Sequence, residues 1–379
     1  MKHEENELSN LDVIPAEADD DYSDDSLYNI NSWGADLSFR EIVDRYDEGD
    51  IVKPEMQRNY VWEKAEASRF IDSILLGLPV PSVFFAKPDQ NAEKMLIVDG
   101  YQRIMTVYDF MAGKFRGDNK IFRLTKSQKV NKRWRGKAFL ELHDNEQKKI
   151  KNTTIHAIIF VQVKPMDDTS FFQIFERINT SGRTLLPQEI RNCVYQGAFN
   201  SLLIELNGYS KWRELFGLTK ADPRMRDMEF ILRYFAVSAT VWDKNDDGAI
   251  SLKKYLSTFM GGKESTQKAV LDRRKSEFTS VIDIIHETYG DTAFQNISEK
   301  TSDFTGKFNP TIFDSLMTAT KIAQHAKVKF DKKTLRDKRI KLLEDPKFQN
   351  LIRIRTTNKS RIAGRISAVL RKLYSLQYV

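Results

Sequence analysis

The chain has 379 residues, of which 41% are hydrophobic and 11% aromatic, enough for sizeable cores in two or three domains. It holds no apolar run of the roughly 18 to 20 residues that a membrane span requires, and its acidic N-terminus lacks the features of a secretion signal. We therefore expect a cytoplasmic protein with no membrane partner. The single cysteine, Cys193, cannot form an internal disulfide and is expected to be a core residue.

The net charge of +7 is unevenly distributed. Ten acidic residues and only one base lie within residues 1–25, so residues 26–379 carry 59 Lys and Arg against 43 Asp and Glu, a surplus of 16. From Lys327 to Lys372 there are sixteen Lys and Arg but only four acidic residues. Such a surplus attracts a polyanion, although a solvated helix face would have the same composition.

The pattern along the chain predicts three regions and an α+β fold. Residues 1–33 are acidic and aperiodic, which favours a disordered tail, with structure beginning near Leu37. A mixed α/β domain is predicted over residues 34–168, and a mainly helical, basic domain over residues 169–379.

Hydrophobic periodicity predicts the elements of the first region and of the boundary. Helices are expected over Ser38–Glu48, Glu63–Leu76, Gln102–Met111, Ser170–Ile178 and Pro187–Gln196. Strands are expected over Ser82–Ala86, Met95–Val98 and Thr154–Pro165, the last as a central strand.

Two Gln-Arg pairs lie beside turns, at Gln57-Arg58 and at Gln102-Arg103. The second follows Asp99 and Gly100, where a predicted strand gives way to a helix. Free amides and the helix dipole at such a turn favour an anion, a guanidinium binds phosphate bidentately, and Asp99 could hold a divalent metal or orient a water. A structural alternative is open: Asp99 caps the helix and Arg103 forms an ion pair.

A second acidic segment, from Asp243 to Ile250, imitates the first eight positions of an EF-hand loop. The twelfth position is Lys254, where calcium requires a bidentate glutamate, so we expect a polar turn rather than a calcium site. No P-loop motif occurs in the sequence, and the five histidines form no metal-ligand pair.

Four motifs in order resemble the N-terminal domain of GmrSD-type modification-dependent restriction enzymes. They are P-x-x-Q-R-x-x-V-W at 54–62, I-D-S-I-L-L-G-L-P-V-P-S at 71–82, V-D-G-Y-Q-R at 98–103 and F-E-R-I-N-T-S-G-R-T-L at 175–185. The signature of that family is D-G-Q-Q-R, from which this chain departs at Tyr101. The segment 355–361 resembles the closing element of such proteins.

The resemblance implies a ParB/sulfiredoxin-like first domain that binds, and in some members hydrolyses, a nucleoside triphosphate with Mg²⁺ in anti-phage defence. The matching positions imply catalytic roles for Asp99, Gln102 and Arg103, with Asp99 also a metal ligand. The implied nucleotide-binding residues are Gln57, Arg58, Gly100, Tyr101, Arg177 and Asn179. A phenol at position 101 would suit stacking on a base or sugar better than positioning water.

The leading hypothesis is a nucleotide-binding protein, with turnover uncertain, whose basic helical domain contacts DNA. The H-x-x-P nuclease signature of many fused relatives is absent, so cutting would come from a partner nuclease. Two alternatives stay open: a non-enzymatic DNA-binding or regulatory module, and a ParB-like nuclease acting through Asp99. Assembly as a homo-oligomer is also left open.

Overall fold

The computed structural model describes residues 30–53, 60–87, 94–162, 186–195, 197–262, 267–298, 301, 303–329 and 331–378. These residues fall into two compact units along the chain. The N-terminal unit contains the elements from Ile30 to Gln162, and the C-terminal unit contains those that follow Tyr195. A helix at Pro187–Val194 lies at the boundary in sequence.

The N-terminal unit is built on a five-stranded mixed sheet. Its strands are β1 (Ile30–Ser38), β2 (Ile51–Val52), β3 (Val83–Lys87), β4 (Met95–Asp99) and β5 (Thr154–Gln162). The order is β1-β5-β3-β4-β2, in which β5 pairs antiparallel with β1 and parallel with β3, while β4 pairs antiparallel with β3 and parallel with β2. The interior place of β5 agrees with the prediction for the longest β-rich run.

The helices described in this unit are α1 (Phe39–Glu48), α2 (Lys64–Leu76), α3 (Tyr101–Ala112) and α4 (Asp144–Asn152). As predicted, Ser38 caps α1 by accepting a hydrogen bond from the Glu41 amide at 3.2 Å, and left-handed Gly77 ends α2. Apolar side chains of all four helices meet those of the sheet in one core, which makes the predicted α+β class correct.

Strand β1 begins at Ile30, seven residues before the start expected near Leu37. Its nine residues pair in register with β5, from Ile30 opposite Gln162 to Ser38 opposite Thr154. This pairing satisfies the backbone of a segment that has no hydrophobic period of its own, so local sequence could not reveal it. The prediction of disorder for residues 1–29 and the helix predicted at 170–178 lie outside the described residues.

The C-terminal unit is mainly helical, as predicted. After α5 (Pro187–Val194) come α6 (Ala198–Asn207), α7 (Ser210–Phe216), α8 (Arg226–Ala239), α9 (Leu252–Met260), α10 (Lys268–Tyr289), α11 (Pro310–His325), α12 (Lys332–Leu343), α13 (Pro346–Arg353) and α14 (Lys359–Val369). A π-helical segment, Leu370–Tyr374, continues α14, and β6 (Gln295–Ile297) pairs antiparallel with β7 (Phe304–Phe308). No described helix is both long and apolar enough to cross a membrane.

A buried ion triad connects three helices of this unit. Asp314 on α11 accepts two hydrogen bonds of 2.7 Å from Arg233 on α8 and one of 3.1 Å from Arg365 on α14. All three side chains are almost fully buried. Removing one partner would leave an uncompensated buried charge, so the triad specifies how these helices meet.

The EF-hand-like segment is held by side chains of a distant part of the same unit. The ammonium of Lys359 lies 2.7 Å from an Asp246 carboxylate oxygen, and this bond lowers the pKa of Asp246. The hydroxyl of Ser360 donates to the carboxylate of Asp247 at 2.5 Å, and the amide of Asn358 donates to the Asp247 carbonyl at 2.7 Å. The segment that resembles a family closing element thus latches this loop.

The glycines at the two ends of α3 allow a matched test of backbone and packing constraints. Both have positive φ, 98° at Gly100 and 80° at Gly113, but a Cβ at Gly100 would lie 2.4 Å from Val83 Cγ1, whereas one at Gly113 would meet nothing within 4 Å. Gly113→Ala should cost about 1 kcal/mol of unfolding free energy from backbone strain alone. Gly100→Ala should cost about 2–5 kcal/mol, because overpacking is added. Urea unfolding measures both; equal costs would contradict the steric explanation.

Candidate functional site

The turn between β4 and α3 has a fixed backbone geometry. Strand β4 ends at Asp99, Gly100 occupies the N-cap position in the left-handed region, and α3 begins at Tyr101. The close approach of Gly100 to Val83 on β3 leaves no room for a side chain. Gly100 is therefore the N-cap of α3. The alternative prediction that Asp99 caps the helix is wrong, because Asp99 is the last residue of strand β4.

Asp99 and Arg103 form an ion pair across this turn. Nη2 of Arg103 donates to Oδ2 of Asp99, and the two side chains retain 14% and 32% exposure for Arg103 and Asp99, respectively. Arg103 lies in the first turn of α3, where the amide groups and the helix dipole carry partial positive charge. The pair is thus accessible from solvent and lies in an electrostatic environment that favours an anion.

Gln102 connects the two predicted Gln-Arg clusters. Its side-chain carbonyl accepts hydrogen bonds from the backbone amides of Val61 at 3.0 Å and Trp62 at 3.3 Å. These residues close the first motif, which begins at Pro54. The structure therefore gives Gln102 a positioning role: it attaches the end of one motif to the first turn of the other.

Tyr101 points into the core of the N-terminal unit. It is 8% exposed, and its hydroxyl accepts a hydrogen bond from Nη1 of Arg116 at 3.1 Å. The ammonium of Lys53 lies 5.1 Å from the ring centroid. Burial raises the pKa of Tyr101, and the charge of Arg116 partly offsets that effect. Little ring surface is left for stacking, so this geometry does not support the base-stacking role expected of the phenol.

Arg116 is an organising residue that sequence reasoning missed. Its guanidinium binds the buried Asp109 carboxylate, with Nη2 2.7 Å and Nε 2.9 Å from Oδ1, and lies 5.7 Å from the ring centroids of Tyr60 and Tyr108. The available signal was Asp109 itself, an acidic residue among the apolar positions of α3. Such a carboxylate needs a cation, but the sequence does not say which one.

Four predicted site residues, Gln57, Arg58, Arg177 and Asn179, lie outside the described residues. Within the described ranges, no group of three or more His, Cys, Asp or Glu side chains could together hold a metal ion. Among the described residues at the turn, the carboxylate that could contact a metal is therefore Asp99.

The N-terminal unit thus combines a mixed sheet with a strand–glycine–helix turn that carries an Asp–Arg pair. Residues 39–196 match the family model described as "GmrSD restriction endonuclease, N-terminal domain", so this part of the chain is similar to that family. The resemblance drawn from the four motifs is thereby confirmed, and the protein is related to restriction systems. No curated protein matches the chain.

The Gln102 link can be tested by hydrogen exchange. Gln102→Ala removes the acceptor of two backbone amides, a loss of about 1 kcal/mol that should accelerate exchange of a peptide covering residues 60–63 by about fivefold. Gln102→Glu keeps an acceptor oxygen at the same place and serves as the control, with exchange close to wild type. Unchanged protection in Gln102→Ala would contradict the positioning role.

Proposed function

We propose that the N-terminal unit binds a nucleoside triphosphate at the β4–α3 turn, and that the basic C-terminal unit contacts DNA in a prokaryotic anti-phage or restriction system. Cutting of the DNA is assigned to a partner nuclease. The observation that carries this proposal is the placement of Asp99 and Arg103 side by side at the first turn of α3.

Arg103 and the helix start supply the chemistry for binding phosphate. A guanidinium with 14% side-chain exposure can exchange part of its bonding from a carboxylate to a phosphate oxygen, and charge-assisted bonds of this kind are about twice as strong as neutral ones. Backbone amides of the first turn add further donors. Gly100 contributes indirectly, because its left-handed backbone packed against Val83 determines where these amides lie.

Asp99 fits the usual way in which proteins hold Mg²⁺, through one or two carboxylates together with substrate phosphates. Oδ2 of Asp99 is bonded to Arg103, which leaves Oδ1 as the oxygen for a cation. A bound Mg²⁺ would offset phosphate charge and fix the orientation of the phosphate chain. This role needs no second protein carboxylate.

The Gln102 link supports a contribution from Arg58. Val61 is bonded to Gln102 at the start of α3, and Arg58 precedes Val61 by three residues. The motif that Gln102 attaches to α3 therefore contains a second arginine close in sequence to the attachment point. Gln57 and Arg58 are therefore proposed as a second clamp on the same phosphates.

Nucleotide binding is supported more directly than hydrolysis. Arg103 and the backbone amides of the first turn of α3 can position a phosphate. Asp99, the carboxylate described at this turn, is bonded to Arg103 and is better placed to orient than to remove a proton. The proposal is therefore nucleotide binding, and phosphate release is the measurement that would extend it to hydrolysis.

The nucleotide proposal is tested by comparing two arginines that both form ion pairs in the N-terminal unit. Arg103→Ala should weaken ATP binding in the presence of Mg²⁺ about tenfold or more, as loss of a charge-assisted bond predicts. Arg123→Ala removes an exposed arginine paired with Glu141 and should change affinity less than about twofold. Isothermal titration calorimetry with a panel of nucleoside triphosphates measures both. Equal affinities of Arg103→Ala and wild type would refute the site.

In the same titrations, Asp99→Asn tests whether Asp99 binds Mg²⁺, and activity assays of this variant distinguish an NTPase from a nuclease. The variant keeps its shape but loses the charge, so stimulation of binding by Mg²⁺ should disappear. Phosphate release that is lost together with binding would extend the proposal to an NTPase. Metal-dependent nicking of plasmid DNA that this variant abolishes would instead identify a nuclease.

The DNA contact is supported by the surface placement of the basic region. Of its sixteen Lys and Arg, only Arg339 and Arg365 are buried; the others are exposed or half-exposed, among them Lys333 and Lys341 on α12. Cations displayed in this way can approach phosphates without first breaking a buried structure.

Salt dependence measures this contact. Four phosphate contacts would lower duplex affinity about a hundredfold between 50 and 200 mM salt, and replacing both Lys333 and Lys341 by Ala should reduce the magnitude of the log–log slope by about 2. Lys129→Ala in the N-terminal unit is the control and should leave the slope unchanged. Fluorescence anisotropy with a labelled duplex gives all the slopes; a slope near zero for the wild type would contradict DNA contact.

A further inference from the structure

The C-terminal unit contains a cavity of about 370 Å³ beside α13, α14 and the segment that follows the π-helix. This volume lies at the small end of the range of about 300–1,000 Å³ that is typical of ligand pockets. It suits one nucleotide rather than a stretch of duplex. Its residues belong to a single unit and are unrelated to the β4–α3 turn.

Positive charge dominates the cavity. Four cationic side chains line it, from Lys244, Lys347, Arg371 and Lys372, against one carboxylate, Asp345. That carboxylate is already used as the cap of α13, where it accepts a hydrogen bond of 2.9 Å from the Lys347 amide. The surplus of three positive charges selects for a ligand with more than one negative charge.

The π-helical segment presents two of these cations, Arg371 and Lys372, at the surface. Within Leu370–Tyr374, the side chains of Leu370, Leu373 and Tyr374 are buried, and those of Arg371 and Lys372 are exposed. Two adjacent cations are thus presented beside the cavity by a segment anchored in the core. π-Helical turns are rare in proteins, and those that do occur are often found at functional sites.

The other lining residues include several apolar side chains and one buried hydroxyl that has no partner among the described residues. Buried Leu342, Phe348 and Ala368 contribute the apolar surface, so the cavity combines a base-compatible floor with a cationic rim. Oγ of Ser367, on the face of α14 that lines the cavity, is buried and has no hydrogen-bond partner among the described residues. A buried hydroxyl without a partner costs free energy, and rotation of the Ser367 side chain toward the cavity would allow a ligand oxygen to satisfy it.

We propose that this cavity binds a nucleotide that carries a terminal phosphate, as found at the end of a DNA strand. A phosphomonoester carries nearly two negative charges at neutral pH, while a phosphodiester within a strand carries one, so the charge surplus favours the terminal group. The apolar floor takes the base, and Ser367 and the cationic rim take the phosphate. The inference rests on the DNA-binding half of the proposed function and makes it specific for strand ends.

The test is the ratio of affinities for two single-stranded oligonucleotides of one sequence, one with a 5′-phosphate and one with a 5′-hydroxyl. The full-length wild type should prefer the phosphorylated strand about tenfold or more. The double variant Arg371→Ala with Lys372→Ala should bring this ratio close to one. Lys333→Ala, which removes an exposed charge outside the cavity, should weaken both oligonucleotides equally and preserve the ratio.

Two further variants keep the net charge unchanged. Ser367→Ala should lower the preference severalfold, and Leu376→Trp, which fills the cavity from the segment after the π-helix, should abolish it. Thermal melting checks that each variant is folded. A wild-type ratio of one, or a ratio that survives both the double variant and Leu376→Trp, would overturn the proposal.

Two more titrations are needed. One distinguishes a free nucleotide from a strand end as the ligand of the cavity, and the other tests DNA contact separately from the cavity. Thymidine 5′-monophosphate that displaces the phosphorylated strand at comparable concentration assigns the site to free nucleotides, while a much weaker effect assigns it to strand ends. Closed-circular DNA has no ends, so its binding tests DNA contact alone. If the wild type binds closed-circular DNA but shows no preference for a terminal phosphate, the proposed function of the cavity is refuted while DNA contact by the protein is supported.

Discussion

The contact between Gly100 and Val83 is the constraint on which the candidate site depends. Because the backbone of Gly100 lies against β3 in a left-handed conformation, α3 starts immediately after β4 with no intervening loop. That geometry determines the directions of the next side chains: Tyr101 faces the core, Gln102 reaches the end of the first motif, and Arg103 returns to Asp99. One backbone conformation therefore organises the whole signature.

The same geometry separates supporting residues from those able to meet a ligand. Tyr101 and Arg116 interact within the N-terminal unit and stabilise the surroundings of the turn. Asp99 and Arg103 retain solvent exposure and can exchange partners. A tyrosine in place of the usual glutamine therefore replaces a polar group by core packing and a bond to Arg116, and leaves the charged pair unaffected.

Sequence reasoning succeeded where the determining interactions are local. Ser38 and Gly77 predicted a helix start and a helix end because capping depends on a few neighbouring residues, and the period of apolar residues predicted the helices between such signals. It failed where the conformation or role of a residue depends on an interaction partner elsewhere in the chain. The start of β1 depends on pairing with β5, and the role of Arg116 depends on a carboxylate seven residues before it and on the ring of Tyr60. The direction of Tyr101 also required the turn geometry, which Asp-Gly alone does not fix.

In the basic region, Lys327–Lys372, composition alone likewise does not show which Lys and Arg are buried and which are exposed. Arg365 belongs to the buried triad with Asp314, and Arg339 lies between the rings of Tyr289 and Phe304, where burial lowers its pKa to about 10. These arginines stabilise the unit, whereas Arg371 and Lys372 in the same stretch are displayed at its surface. Identical residue types therefore lie in the core and at the surface within about thirty positions, and only burial distinguishes them.

The latch between the Asp246–Asp247 loop and residues 358–360 has a consequence for biosynthesis. Its bonds join positions that are 111 to 113 residues apart, so the loop stays without these partners until most of the C-terminal unit has left the ribosome. Contacts of such long range slow folding, and domains emerging earlier fold first. The nascent chain would therefore carry a folded N-terminal unit while its basic helices are still incomplete, which delays the display of the basic surface until those helices have been synthesised.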